Sequence, residues 1–146
     1  MKILIVCLGN ICRSPLAHGV FAHLVEQEGL DWIVDSAGTG DWHVGQSPDH
    51  RAIAVAQDNG IDISGQRAQH FQPDFFDEYD RILVMDHQNF KDVMALAKTD
   101  EQRAKVSLFM DNDIVQDPYF DDALFEPVFA QIRERSAELI RELMNP

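Results

Sequence analysis

Short apolar runs alternate along the chain with longer stretches in which apolar residues recur every three or four positions. Buried strands and amphipathic helices take turns in this way in a parallel α/β sheet. Residues 2–6 are the first predicted strand. Ser14 and Pro15 then open a helix to about residue 28, the serine as N-cap and the proline at the first helical position, with Gly29 as its stop. Residues 33–37 form a second strand, residues 48–59 a helix closed by Gly60, and residues 81–85 a third strand. Asp86 caps a helix through about residue 97, and residues 105–109 form the fourth strand. The chain ends in a long helix over residues 124–143, where Phe125, Val128, Phe129, Ile132, Ala137, Ile140 and Leu143 fall largely at helical spacing.

Four strands joined by helical crossovers predict a small doubly wound four-stranded parallel sheet with helices on both faces. No repeat, low-complexity segment or linker divides residues 1–146, so a single domain is expected. Ligands of such sheets bind beyond the carboxyl ends of the strands. The loops after the first, second and fourth strands are therefore expected to meet in space.

Composition narrows the function. A hydrophobic content of 45% suits a packed core, and a formal net charge of -13 argues against a nucleic-acid partner, whose phosphates call for a basic footprint. An anion site in so acidic a chain has to be made locally positive, by backbone N–H groups, a helix N-terminus and an arginine. The apolar run at residues 3–6 is too short for a signal peptide, and no stretch is long enough for a membrane span. Cys7 and Cys12 lie too close together to staple a fold, which points to a reducing compartment and a cytoplasmic location.

The stretch Cys7-Leu8-Gly9-Asn10-Ile11-Cys12-Arg13-Ser14 lies between the first strand and the first helix. A cysteine and an arginine enclosing five residues, Leu8 to Cys12, make a loop whose N–H groups can turn inward around a tetrahedral oxyanion. Gly9 relieves backbone crowding. The helix N-terminus behind the loop favours both a bound phosphate and a thiolate at Cys7. Arg13 can grip two phosphate oxygens with its planar fork. A thiolate beside a clamped phosphate is a nucleophile. No Gly-x-Gly-x-x-Gly and no Gly-Lys-Ser/Thr ending is present, so a nucleotide-binding loop fits less well.

Phosphoryl transfer to Cys7 also needs a proton donor for the leaving group. Asp117, followed by Pro118 and Tyr119 on the expected ligand edge, suits that role, although spacing alone does not separate it from Asp111, Asp113, Asp121 and Asp122. Trp42, Tyr119 and Phe120 are candidate aromatic walls for an aryl phosphate. The six histidines show no metal-ligand spacing, and two cysteines beside an arginine make a poor metal site, so neither metal nor cofactor is expected.

With these residues in place the chain resembles the low-molecular-weight protein tyrosine phosphatase family over nearly its whole length. The similarity rests on the stretch from Val6 to Pro15, Asp35-Ser36-Ala37-Gly38, Asp41-Trp42, Gly45, Ser47-Pro48-Asp49, Arg51, Gly60-Ile61-Asp62, Leu83-Val84-Met85-Asp86 and Asp117-Pro118-Tyr119. The resemblance implies that Cys7 is phosphorylated, that Arg13 orients the phosphoryl group, and that Asp117 protonates the phenol and later deprotonates water. It further implies that Asn10, Ser14 and Ser36 hold the loop by hydrogen bonds, with the Ser14 hydroxyl on the thiolate. Two positions depart from the family pattern: Gln66 stands where a histidine braces the loop, and Phe120 where many relatives carry tyrosine.

Arsenate reductases of similar fold need further relay cysteines, and none follows Cys12. Arginine phosphatases of the family carry threonine at the position of Ile11, whose bulk suits a phenyl ring better. A phosphotyrosine-binding module would have no use for Asp117. The expected partners are tyrosine-phosphorylated proteins, with a tyrosine kinase among the candidates by analogy. Nothing heptad-like calls for an obligate dimer, so a monomer is expected. An oxidised Cys7 is expected to be captured by Cys12, which makes the enzyme redox-regulated.

Overall fold

The computed structural model describes all 146 residues. Four strands, β1 (Lys2–Cys7), β2 (Ile33–Gly38), β3 (Arg81–Val84) and β4 (Val106–Leu108), form one sheet in the order β2-β1-β3-β4. Every pairing is parallel: Lys2 faces Ile33 and Cys7 faces Gly38, Ile3 faces Arg81, and Ile82 faces Val106. The chain leaves β1 toward one edge and returns to β3 on the other side, so β1 sits at the reversal of strand order where such sheets open a crevice.

Side chains of β1 divide the core in two, as the two-residue period of a strand requires. Ile3, Ile5 and Cys7 pack with α1 (Arg13–Gln27), α2 (His50–Asp58) and α6 (Phe125–Met144). Leu4 and Val6 face the opposite layer, which contains α3 (Phe75–Glu78) and α4 (His87–Met94) and the residues Phe71, Phe76, Tyr79 and Val93. Burial on both faces is the doubly wound arrangement that the apolar runs predict.

The boundaries carry the corrections. Ser14 does not cap the first helix. Cys12 occupies that place without a side-chain hydrogen bond, and Ser14 is inside α1 and fully buried. The second helix begins at His50, because the Asp49 carboxylate accepts from the Arg51 N–H and makes Asp49 the N-cap. Asp86 does cap α4, accepting from the Asn89 N–H. That helix ends at Met94, and Thr99 caps a separate α5 (Asp100–Ala104) before β4. In α6 the buried stripe also contains Arg135, Ser136 and Leu139. Arg135 Nε donates to the Phe109 carbonyl at 2.8 Å and so ties α6 to the end of β4. No helix is long and apolar enough to cross a membrane.

Candidate active site

Beyond the carboxyl end of β1 the chain turns through residues 8–12 and enters α1 at Arg13. Its neighbours on the sheet brace this loop. Thr39 N–H donates to the Cys7 carbonyl and Gly40 N–H to the Leu8 carbonyl, both at 2.9 Å. A Cβ on Gly38 would stand 2.8 Å from the Leu8 oxygen, so only glycine lets β2 pass this close. Asp49 N–H donates to the Ile11 carbonyl at 2.8 Å and attaches the start of α2 to the same loop.

Cys7 Sγ is buried and lies 3.0 Å from Ser14 Oγ and 3.3 Å from the Asn10 N–H. Asn10 adopts a left-handed backbone, with φ 56°, which asparagine tolerates better than most residues. Its side chain turns behind the loop: Nδ2 donates to Ser14 Oγ at 2.7 Å and to Ser36 Oγ at 3.0 Å, and Oδ1 accepts from Gln69 N–H. Asn10, Ser14 and Ser36 thus come together as one hydrogen-bonded brace. They sit beneath the loop and off the cavity wall. Gln66 takes no part in it and donates instead to the Pro15 carbonyl.

Arg13 is 4% exposed. One terminal nitrogen, Nη1, donates to Asp86 Oδ2 at 2.7 Å and to the Val115 carbonyl at 3.0 Å, while the other, Nη2, stands 3.9 Å from Asp117 Oδ2. Burial by itself would lower the Arg13 pKa, but Cys7, Asp86 and Asp117 outweigh it and hold the guanidinium charged. With Nη1 committed, Nε and Nη2 are left for an oxyanion.

A cavity of about 190 Å³ opens over this loop. Cys7, Gly9, Ile11, Cys12 and Arg13 line it from below, and Leu8, Trp42, Tyr119, Phe120 and the Asp117 carboxylate stand around it. Of the five aspartates in this region only Asp117 lines the cavity, and its Oδ1 accepts from the Tyr119 N–H at 3.0 Å. Asp113 accepts from its neighbour's N–H at Ile114, Asp121 caps the short 3-10 turn Asp122–Leu124, and Asp122 pairs with Arg51, while Asp111 lies outside the cavity. The rim is aromatic and open, with Trp42 67% and Phe120 91% exposed. A Cβ on Gly40 would overlap the Trp42 ring, so that glycine seats the indole.

Two residues near the site carry no functional signal in the sequence. Asp86, a helix cap by its position, has a second duty on Arg13. His43 lines the cavity beside Trp42, its Nδ1 hydrogen-bonded to Gln46 Oε1 at 3.0 Å, and nothing in its spacing marks it. No group of three or more histidine, cysteine or acidic side chains is arranged to hold a metal ion.

A thiol floor with two hydrogen-bond donors, a buried charged guanidinium and a carboxyl across the cavity can bind a phosphate ester and pass its phosphoryl group to sulfur. The family model described as low molecular weight phosphotyrosine protein phosphatase matches residues 2–146. A low molecular weight phosphotyrosine protein phosphatase of Saccharomyces cerevisiae is 36% identical, the alignment covering 97% of this chain and 94% of that one. A product-state mimic of a protein tyrosine phosphatase from Entamoeba histolytica superposes with a TM-score of 0.92 at 29% identity, covering 100% and 97% of the two chains. Wzb of Vibrio vulnificus in complex with benzylphosphonate superposes with a TM-score of 0.87 at 30% identity, covering 97% of each. Cavity, fold and comparisons agree, and the chain belongs to the low molecular weight phosphotyrosine protein phosphatase family.

Proposed function

We propose that residues 1–146 act as one catalytic domain in which Cys7 is the nucleophile, Arg13 the phosphate clamp and Asp117 the general acid and base of a protein tyrosine phosphatase. The enzyme class follows from the family: this is a phosphoric monoester hydrolase acting on phosphotyrosine. The residue roles are supported by one observation above the others, the placing of Cys7 Sγ, the free edge of Arg13 and the Asp117 carboxyl around one cavity.

In the first step the Cys7 thiolate attacks phosphorus, the bond to the tyrosine oxygen breaks, and Asp117 gives its proton to the departing phenolate. Ser14 and the Asn10 N–H favour the thiolate, and the loop amides with Arg13 hold the equatorial oxygens. In the second step the Asp117 carboxylate removes a proton from water as water attacks the phosphocysteine. Inorganic phosphate leaves and the thiolate returns. Apart from water, the nucleophile, the acid and base and the oxyanion donors of this cycle all belong to the chain, and the cycle calls for neither metal nor cofactor.

Trp42, Tyr119 and Phe120 supply walls that match a phenyl ring, in keeping with the benzylphosphonate bound by the Vibrio vulnificus protein. The substrates are tyrosine-phosphorylated proteins, with a tyrosine kinase as a candidate among them, and the working form is a cytoplasmic monomer. Aryl phosphate turnover should vanish in Cys7→Ser and in Arg13→Ala and persist in chelator. Full activity of Cys7→Ser would remove the covalent mechanism.

A further inference from the structure

Gln66 leaves the brace beneath the phosphate loop without the histidine that the family resemblance leads one to expect, yet an imidazole reaches that brace from another element. His18, in the second turn of α1, has Nδ1 3.2 Å from Ser36 Oγ. We propose that His18 is a positioning residue for the reaction, closing a directed hydrogen-bond chain through Ser36 and Asn10 to Ser14 that aims the Ser14 hydroxyl hydrogen at Cys7 Sγ. The inference rests on the role given to Cys7 above.

Proton counting gives the chain its direction. The Gln69 N–H donates to Asn10 Oδ1 at 3.0 Å, which turns the amide so that Nδ2 faces the two serines. Nδ2 has two hydrogens, and one goes to each hydroxyl oxygen. Each serine, having accepted, keeps its own hydrogen to give. Ser14 gives it to Cys7 Sγ and Ser36 to His18 Nδ1. The imidazole must then present a lone pair at Nδ1, so it is neutral with its hydrogen on Nε2.

The surroundings of His18 suit that form. Burial lowers its pKa and prevails over the opposing charge of Asp35 and the opposing Val34 carbonyl, both on β2. Asp35 is itself engaged by the Tyr79 hydroxyl at 3.0 Å. The other titratable groups along the groove beside His18 are Asp62 from the segment after α2 and His23 and Glu26 on its own helix. A protonated His18 would donate to Ser36 Oγ, leaving that oxygen with two incoming hydrogens and its own hydrogen with no acceptor. The brace then slackens from its far end, and the acid side of the activity profile falls with it.

The test compares His18→Leu, which removes the acceptor, with His18→Asn, whose side-chain oxygen can stand near Nδ1 without titrating. His18→Leu should lower kcat about 3- to 10-fold with KM within about twofold. It should also slow alkylation of Cys7 by iodoacetamide at fixed pH by about threefold. His18→Asn should restore both and flatten the acid limb. Ser36→Ala breaks the same link and also removes an acceptor of Asn10 Nδ2, so it should be at least as impaired as His18→Leu, which should add nothing to it in the double variant. The inference is overturned by wild-type kcat and alkylation rate in His18→Leu or in Ser36→Ala, by His18→Asn being as impaired as His18→Leu, or by multiplying effects in the double variant. Cys7→Ser is assayed alongside. Its retaining turnover would remove the phosphatase mechanism itself, whereas a dead Cys7→Ser beside a normal His18→Leu removes only the role of His18.

Discussion

Arg51 on α2 donates to the carboxylate of Asp122 at 2.6 Å across 71 positions of sequence, while its other N–H groups hold Asp49. The same guanidinium lies over the Tyr119 and Phe125 rings, 5.5 and 4.7 Å from their centroids. Since Asp49 N–H is bonded to the Ile11 carbonyl, this one arginine links the loop bearing Asp117 to the phosphate loop. Arg51→Ala should therefore misplace the acid more than the clamp. Expected is a loss of about tenfold in kcat for phosphotyrosine peptides, with inhibition by inorganic phosphate nearly unchanged. Steady-state kinetics with phosphate as a competitive inhibitor reads both.

Asp117→Asn should slow cleavage by about 10²- to 10⁴-fold for poor leaving groups such as the tyrosine phenolate, and far less for groups that depart without a proton. Asp113→Asn and Asp121→Asn, which lie outside the cavity, should leave the leaving-group dependence flat. A series of substituted phenyl phosphates on the three variants decides, and a steep dependence in either neighbour would reject Asp117.

The two duties of Asp86 can be separated with a control. Asp86→Ala removes an N-cap and the partner of a buried guanidinium, so it should lower stability, at about 1 kcal/mol for the cap alone, and also weaken binding of phosphate analogues. Thr99→Ala removes the cap of α5 and should cost stability only. Urea unfolding paired with vanadate inhibition distinguishes them.

Asp49 gives a stability signature at low pH. The Arg51 side chain, ahead of smaller opposing burial, holds the Asp49 carboxyl below the ordinary carboxylate range. A group harder to protonate folded than unfolded stabilises the fold above its unfolded value of about 3.9, and that contribution disappears as pH falls through the lower folded value. The urea midpoint of wild type should fall more steeply below about pH 4 than that of Asp49→Asn, and parallel curves would exclude the linkage.

Burial, aided by the charges of Asp49, Cys7 and Asp117, pushes the Cys12 thiol well above the ordinary cysteine range. Cys12 is accordingly a protonated reserve thiol beside the loop. Peroxide should take Cys7 to a sulfenic acid, which Cys12 attacks as it loses its proton, forming the sulfur–sulfur bond and releasing water. Inactivation should be reversed by added thiol, with bridge formation accelerating as pH rises. Sulfonic acid at Cys7 and no Cys7–Cys12 bridge in peroxide-treated protein would discard this.

The loop from Cys7 to Ser14 is legible in sequence because it is contiguous: most of the residues on the floor of the cavity are residues that follow the strand. β1 and β3 are legible for a similar reason, each being a short apolar run. Asp86 on Arg13, Arg51 on Asp122 and His18 on Ser36 are pairs separated by 73, 71 and 18 positions, and no local period marks them. The misplaced cap is instructive. Ser14-Pro15 has the composition of a helix start, but the demand of the Cys7 sulfur for a donor draws Ser14 into the first turn and leaves the cap position to Cys12. Short α3 and α5 lack the length for a helical period to show.

Arg13 takes both of its protein acceptors on Nη1 from far downstream, Asp86 and the carbonyl of Val115, 73 and 102 residues later. The phosphate loop leaves the ribosome before either acceptor is made, and its arginine stays without them until β3 is laid down and the segment after β4 has docked. On the roles proposed for Cys7 and Arg13, a nascent chain displays its cysteine before the arginine beside it is held in place.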